Sequence, residues 1–98
     1  MKKILNNDHI SIIGGAGHIG LPLALAFSQK NLKIHLIDKN KKNLNLIQNN
    51  IMPFLEIGAE KILNRGLKKK LFFFEDNLNF MLKSKFIIIC IGTPINNH

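Results

Sequence analysis

The sequence predicts an α/β fold built on a parallel sheet, and three observations carry that expectation. Ile10-Ser11-Ile12-Ile13 is an apolar strand that runs straight into the turn Gly15-Ala16-Gly17-His18-Ile19-Gly20, a G-x-G-x-x-G spacing that opens a helix. A second apolar strand, Lys33-Ile34-His35-Leu36-Ile37, ends in Asp38, an acidic residue about 20 positions past the glycine turn. Beyond it, helix-like and strand-like apolar segments alternate to the end of the 98 residues.

Taken in order, the first helix follows the glycine turn, with Ile19, Leu23, Ala26 and Phe27 at helical spacing on its apolar face and Gln29-Lys30-Asn31 at its end. Pro22 lies close enough to the helix start to be tolerated, because few intrahelical bonds depend on its missing N–H. After Asp38, Asn40 caps a second helix with Leu44, Ile47 and Ile51 as its buried stripe, and Pro53 is expected to stop it. A third helix is expected over 59–64, with Gly66 as its C-terminal stop. Leu71-Phe72-Phe73-Phe74 reads as a short strand, 77–83 as a brief helix, and 86–91 as a fourth strand.

The resulting pattern is β-α-β-α-α-β-α-β. Right-handed crossovers give a spatial strand order 3-2-1-4, with a ligand crevice where the order reverses between the first and fourth strands. This is the first half of a doubly wound, Rossmann-type sheet. The domain expectation is therefore one nucleotide-binding domain over 1–98 that stops before its second half, with no substrate domain. An open half-sheet leaves its fourth strand unpaired on one side, so self-association is expected.

The glycine turn is the candidate binding element. Gly15 is expected to allow the tight turn, Gly17 to let the main chain approach a diphosphate, and Gly20 to let the helix pack closely on its strand. A pyrophosphate then sits at the helix N-terminus, on free N–H groups and the positive end of the helix dipole. Asp38 can accept both ribose hydroxyls of adenosine and would repel the additional phosphate of NADP, which favours NAD. The other reading of Asp38 is a cap or turn residue after the strand. Lys39, Lys41 and Lys42 follow it and can attract a phosphate-bearing ligand, or form a solvated helix start. Gly92-Thr93-Pro94 leaves the fourth strand at its carboxyl end and so borders the same crevice.

Composition narrows the function classes. The formal net charge of +8 raises the question of a nucleic acid or anionic membrane partner. The basic residues are nearly all Lys, with Arg65 the single Arg, and they are scattered rather than clustered, alongside abundant Ile and Asn. A compositional bias explains that more simply, and neither nucleic acid nor membrane is expected as a partner. Cys90 is the only cysteine, so no internal disulfide and no CxxC metal site can form, and its place in an apolar strand suggests a buried structural thiol. His9, His18, His35 and His98 lack metal-ligand spacing, and the backbone of His18 is expected to matter more than its ring. Lys2 and Lys3 start like a signal peptide, but Asn6-Asn7-Asp8-His9 interrupts any apolar core, and the apolar run at 86–91 is too short to span a bilayer. The expected location is cytoplasmic.

Four blocks resemble the UDP-glucose/GDP-mannose dehydrogenase family, in particular the nucleotide-sugar dehydrogenases that make uronic acids for surface polysaccharides. They are Gly15 to Ala24 with its Leu21-Pro22 extension, Ile37-Asp38, Met52-Pro53-Phe54-Leu55-Glu56-Ile57-Gly58-Ala59-Glu60, and Ile89-Cys90-Ile91-Gly92-Thr93-Pro94. The likeness covers nearly the whole chain but only about the first quarter of a typical member. It implies NAD-dependent, two-step oxidation of a sugar C6 alcohol to a carboxylate within a nucleotide sugar. It also implies that Gly15, Gly17 and Gly20 hold the pyrophosphate, that Asp38 takes the adenosine ribose and that Thr93 lines the nicotinamide side, with Ala16, His18, Ile19, Lys39 and Gly92 as further candidate cofactor-binding residues. Thr93 would add a supporting catalytic role through an ordered water; otherwise it is a strand-end turn residue before Pro94.

Some relatives place an Arg near the ribose where Asn43 stands here, and Lys42 is the candidate substitute. The family's catalytic Cys, Lys and Asp lie beyond the last residue of this sequence, and Cys90 does not match that nucleophile. The chain alone is therefore expected not to catalyse the oxidation, and a nucleotide sugar would be a partner only if the missing domains were supplied. Two other readings stay open at this point: a free-standing NAD-binding module, and the first half of another dehydrogenase of this fold, such as a hydroxyacid or hydroxyacyl-CoA type.

Overall fold

The computed structural model describes residues 8–75 and 84–90. Four strands, β1 (His9–Ile13), β2 (Lys33–Ile37), β3 (Phe72–Glu75) and β4 (Phe86–Ile89), form one sheet in the order β3-β2-β1-β4. All three pairings are parallel, with Ile12 opposite Leu36 on one side and Ile88 on the other, and Leu36 opposite Phe74. The expected order 3-2-1-4 is the observed one. Helices α1 (Gly20–Ser28), α2 (Lys41–Gln48) and α3 (Ala59–Lys68) make the connections between β1, β2 and β3. The helix expected over 77–83 lies outside the described residues.

Side chains alternate across each strand, so one face of the sheet carries Ile10, Ile12, Ile34, Leu36 and Phe72. That face forms a single core with Leu21, Ala24 and Leu25 of α1, Leu44 and Ile47 of α2, and Ala59 and Leu63 of α3. The opposite face carries Ser11, His35 and Phe73, and on β4 the half-exposed Ile87 and Ile89.

Helix α1 buries Leu21, Ala24, Leu25 and Ser28, whereas Ala26 is exposed and Ile19, its N-cap, is 66% exposed. Of the stripe expected through Ile19, Leu23, Ala26 and Phe27, Leu23 and Phe27 are half-buried and pack against the core, whereas Ile19 and Ala26 face away from it. The sequence GLPLALAFS is apolar almost all round, so its periodicity does not single out a face.

The helix stops also differ from expectation. Asn50, with φ of 64°, ends α2: the N–H of Ile51 donates to the Leu46 carbonyl at 2.9 Å and that of Asn50 to Ile47 at 3.0 Å. This is a Schellman ending with Asn in the left-handed position, three residues before Pro53, and it leaves Ile51 half-exposed outside the helix. Lys70, with φ of 57°, ends α3 in the same way, Leu71 N–H donating to the Gly66 carbonyl at 2.9 Å and Lys70 N–H to Leu67 at 3.0 Å. Gly66 is therefore inside α3 rather than its stop. A Cβ there would overlap the Phe72 ring, so the missing side chain lets α3 lie directly on β3.

Cys90 follows β4 and is half-buried, not enclosed as expected for a core thiol. Its N–H extends the β1–β4 ladder by one bond, to the Ile13 carbonyl at 2.7 Å. Among the described residues, no helix is long and apolar enough to cross a membrane.

Candidate nucleotide-binding site

The carboxyl end of β1 becomes the site because the chain turns there twice within seven residues. Ile13 is the last strand residue, and the N–H groups of Gly14 and Gly15 both donate to the Ile37 carbonyl, at 2.7 and 3.2 Å, tying the start of the turn to the end of β2. Gly14 has φ of +84°, and a Cβ on it would overlap the Cys90 carbonyl oxygen. Only glycine satisfies both conditions, the left-handed backbone and the close approach of the β4 exit. Gly14, not Gly15, is thus the residue that makes the turn. Gly15 is buried, with the Leu36 side chain 2.9 Å from the place a Cβ would occupy, so its role in the fold is packing against β2.

The second half of the turn closes through the N–H of Gly17 on the Gly14 carbonyl, 3.2 Å, and that of Leu21 on the Gly17 carbonyl, 3.0 Å. A Cβ on Gly20 would overlap the same Gly14 carbonyl, so Gly20 lets the first turn of α1 sit on the loop, as expected. Gly17 differs. The one atom near its Cβ position is the Gly14 carbonyl oxygen at 3.5 Å, an ordinary contact, so its outer side is open.

Three backbone N–H groups in succession, those of His18, Ile19 and Gly20, have no acceptor among the described residues. They lie at the N-terminus of α1, whose first turn contains no acidic residue to neutralise the helix dipole. The arrangement is one that holds an anion through main-chain donors. The His18 ring takes part in a different way: it stacks on Phe54 with centroids 4.2 Å apart, joining the loop to the 52–58 segment.

Asp38, one residue past β2, is half-buried beside the loop. Its Oδ2 accepts the Ala16 N–H at 2.9 Å, and its Oδ1 accepts the Asn40 N–H at 2.8 Å. The cap-or-turn reading of Asp38 therefore describes one of its contacts correctly. An ionised carboxylate has about four acceptor positions, so two bonds leave capacity for ribose hydroxyls. Asn40 is the N-cap of α2, its Oδ1 accepting the Asn43 N–H at 2.9 Å, and Asn43 Nδ2 donates back to the Ala16 carbonyl at 3.2 Å. Lys39, Lys41 and Lys42 are exposed next to this junction.

The structure thus brings together Gly15, Ala16, Gly17, His18, Ile19, Gly20, Asp38 and Lys39. Gly92 and Thr93 lie outside the described residues. Sequence reasoning passed over Gly14, because G-x-G-x-x-G is satisfied starting from Gly15. It gave Asn43 no role beyond standing where some relatives carry an Arg, whereas its amide donates to the loop at the Ala16 carbonyl. Among the described residues, no group of three or more His, Cys, Asp or Glu side chains is placed to hold a metal ion.

Comparison with known proteins agrees with this architecture. Residues 8–98 match the UDP-glucose/GDP-mannose dehydrogenase family, NAD binding domain. Protein CapL of Staphylococcus aureus is 30% identical over 92 residues, and UDP-N-acetyl-D-glucosamine 6-dehydrogenase of Salmonella typhi is 33% identical over 92 residues. These alignments cover 94% and 93% of this chain and 20% of each relative, so the chain spans about a fifth of the length of the curated relatives it matches. A GDP-mannose dehydrogenase from Pseudomonas aeruginosa superposes with a TM-score of 0.81 at 27% identity, over 89% of this chain and 20% of that one. With its four-stranded parallel sheet in the order 3-2-1-4 and a match over nearly its full length, the chain belongs to the UDP-glucose/GDP-mannose dehydrogenase family, in the part that forms the NAD-binding domain.

Proposed function

We propose that this chain binds NAD at the β1–α1 turn and is the cofactor-binding part of a nucleotide-sugar 6-dehydrogenase, an enzyme class that oxidises a UDP-sugar to a UDP-uronic acid for surface polysaccharide. The observation that carries the reading is the run of N–H groups at His18, Ile19 and Gly20 with no acceptor among the described residues, open on the side of Gly17 and bordered by the Asp38 carboxylate. A pyrophosphate fits the first feature and an adenosine ribose the second.

In this reading the Gly15 to Gly20 backbone holds the pyrophosphate, with the α1 dipole contributing a favourable field. Asp38 accepts from the ribose hydroxyls through lone pairs not used by Ala16 and Asn40, and Lys39 flanks it. Gly92 and Thr93 are assigned to the nicotinamide side, Thr93 with a supporting catalytic role. NAD, when bound, supplies the hydride acceptor. The chain's own residues bind and orient it, and no residue of this sequence is assigned as the nucleophile for the second oxidation. The purified chain is therefore predicted to reduce no NAD with any nucleotide sugar on its own.

Calorimetric titration of the chain with NAD and with NADP tests the reading. NAD should bind more tightly, and Asp38→Ala should weaken NAD by about tenfold while narrowing its advantage over NADP, since an ionic hydrogen-bond acceptor is lost and a repulsive charge with it. Absence of NAD binding by the folded chain would reject the proposal. An unchanged preference in Asp38→Ala would mean that the carboxylate only caps α2 and the loop.

A further inference from the structure

Ala16 is held at both of its main-chain polar atoms, one in each of the two peptide units that flank its Cα. Its N–H donates to Asp38 Oδ2 at 2.9 Å, and its carbonyl accepts from Asn43 Nδ2 at 3.2 Å. The two holders are themselves joined, because Asp38 Oδ1 accepts from the Asn40 N–H and Asn40 Oδ1 from the Asn43 N–H. Four residues therefore form a closed ring of hydrogen bonds from the glycine turn, through the end of β2, to the first turn of α2 and back. Ala16 is fully buried at its centre. Immediately after Ala16 come Gly17 and the three N–H groups that have no acceptor among the described residues, so whatever fixes the Ala16–Gly17 peptide unit fixes the direction in which those donors point.

We propose that Asn43 is a positioning residue for the dinucleotide: acting through the Ala16 carbonyl, it sets the pyrophosphate cradle and makes no ribose contact of its own. The inference rests on the NAD-binding reading above. Its physical basis is that Gly17 lacks a side chain and so cannot hold the turn by packing. Asp38 restrains the Gly15–Ala16 peptide unit, and the Gly17 N–H bond to the Gly14 carbonyl holds the next unit, Ala16–Gly17, at its nitrogen; the carbonyl oxygen of that second unit needs its own tether. Asn43 supplies it from a helix docked in the core through Leu44 and Ile47. Preorganised donors bind an anion without an ordering cost at the moment of binding, and a loosened loop would pay that cost.

The role predicts a signature that separates it from a ribose contact and from a purely structural one. NAD and NADP share the pyrophosphate and differ at the ribose edge. Losing the Asn43 tether should therefore weaken both by the same factor, whereas Asp38→Ala changes their ratio. Asn43→Ala keeps the backbone N–H that Asn40 caps and places a strong helix former in α2, so the helix should not suffer. Calorimetric titration of Asn43→Ala is expected to show about tenfold weaker binding of both NAD and NADP, with the ratio of wild type preserved and the melting temperature close to wild type.

Asn43→Asp is the companion variant. It matches the shape, carries no donor for the Ala16 carbonyl, and places a negative charge favourably in the first turn of α2. It too should weaken both ligands while staying folded, NADP at least as much as NAD because the new charge opposes the additional phosphate. Wild-type affinity in either folded variant would overturn the inference, as would a changed NAD-to-NADP ratio in Asn43→Ala. Failure of the wild-type chain to bind NAD would overturn the underlying reading as well, which is a different result from wild-type binding with an indifferent Asn43.

Discussion

Strand β1 ends in two different kinds of polar structure. At its amino end the chemistry is carried by side chains: His9 Nδ1 and His35 Nε2 lie 2.6 Å apart, the two rings stack at 4.9 Å, Phe73 covers His35 at 4.8 Å, Ser11 and Ser84 share a hydrogen bond, and Asp8 pairs with Lys85 at 3.3 Å. At its carboxyl end almost everything is main chain. The turn is bonded by the N–H groups of Gly14, Gly15 and Gly17, the donors left over among the described residues belong to His18, Ile19 and Gly20, and Asp38 and Asn43 act on the main-chain N–H and carbonyl of Ala16. A search for clustered titratable residues would select the amino end. The candidate site is at the other end, because a diphosphate needs converging N–H donors and close approach rather than a proton donor or nucleophile.

The contrast can be broken first at Gly14. An alanine there must adopt a left-handed backbone and displace the β4 exit at Cys90, so Gly14→Ala should cost on the order of 3 kcal/mol, measured by thermal or urea unfolding. A loss under about 1 kcal/mol would mean that the turn is free to rearrange. Next in size is His35, which is buried in the middle of the sheet. His35→Ala should destabilise the chain by about 2 kcal/mol through the cavity it leaves, yet leave the NAD dissociation constant of the folded protein unchanged. Weakened NAD binding in that variant would deny that the two ends act independently.

Gly17 sharpens the comparison from the opposite direction. The protein leaves room for a methyl group at Gly17, so Gly17→Ala should change stability by less than about 1 kcal/mol while weakening NAD on the order of tenfold, as the added Cβ takes space meant for the ligand. Stability and binding thus part ways in reverse order at Gly17 and His35. The smallest effect is expected at Ile89, which is 60% exposed. Ile89→Thr should alter unfolding free energy by no more than about 0.5 kcal/mol and binding not at all.

Much of this architecture was legible in the residues because it rests on strong local signals. The run of apolar residues in β1 and β2, the glycine spacing and the position of Asp38 each constrain the others, and together they specify a parallel sheet in a single order. What escaped did so for identifiable reasons. Helix α1 is apolar on every side, so burial was decided by how it sits on β2 and α3, not by its period. Helices α2 and α3 end on Asn50 and Lys70 in the left-handed conformation, where the capping bonds outweigh the modest cost of a Cβ, while Pro53 lies three residues past the end of α2 and Gly66 gives room to the Phe72 ring. Gly14 was hidden by a neighbour that completes the same motif. The Asn43 tether spans 27 positions, and nothing in the local sequence announces a contact at that range. Thr93, which the family likeness assigns to the nicotinamide side, and its neighbour Gly92 fall outside the described residues.

The central claim is that the ligand is held by the main chain at the carboxyl end of β1. Backbone amide NMR during titration with NAD tests it residue by residue. The account predicts large, saturable shifts for Gly17, His18, Ile19, Gly20 and Asp38, with His9, Ser11 and His35 unmoved. Shifts confined to the amino end of the sheet, or none at all at saturating NAD, would contradict it.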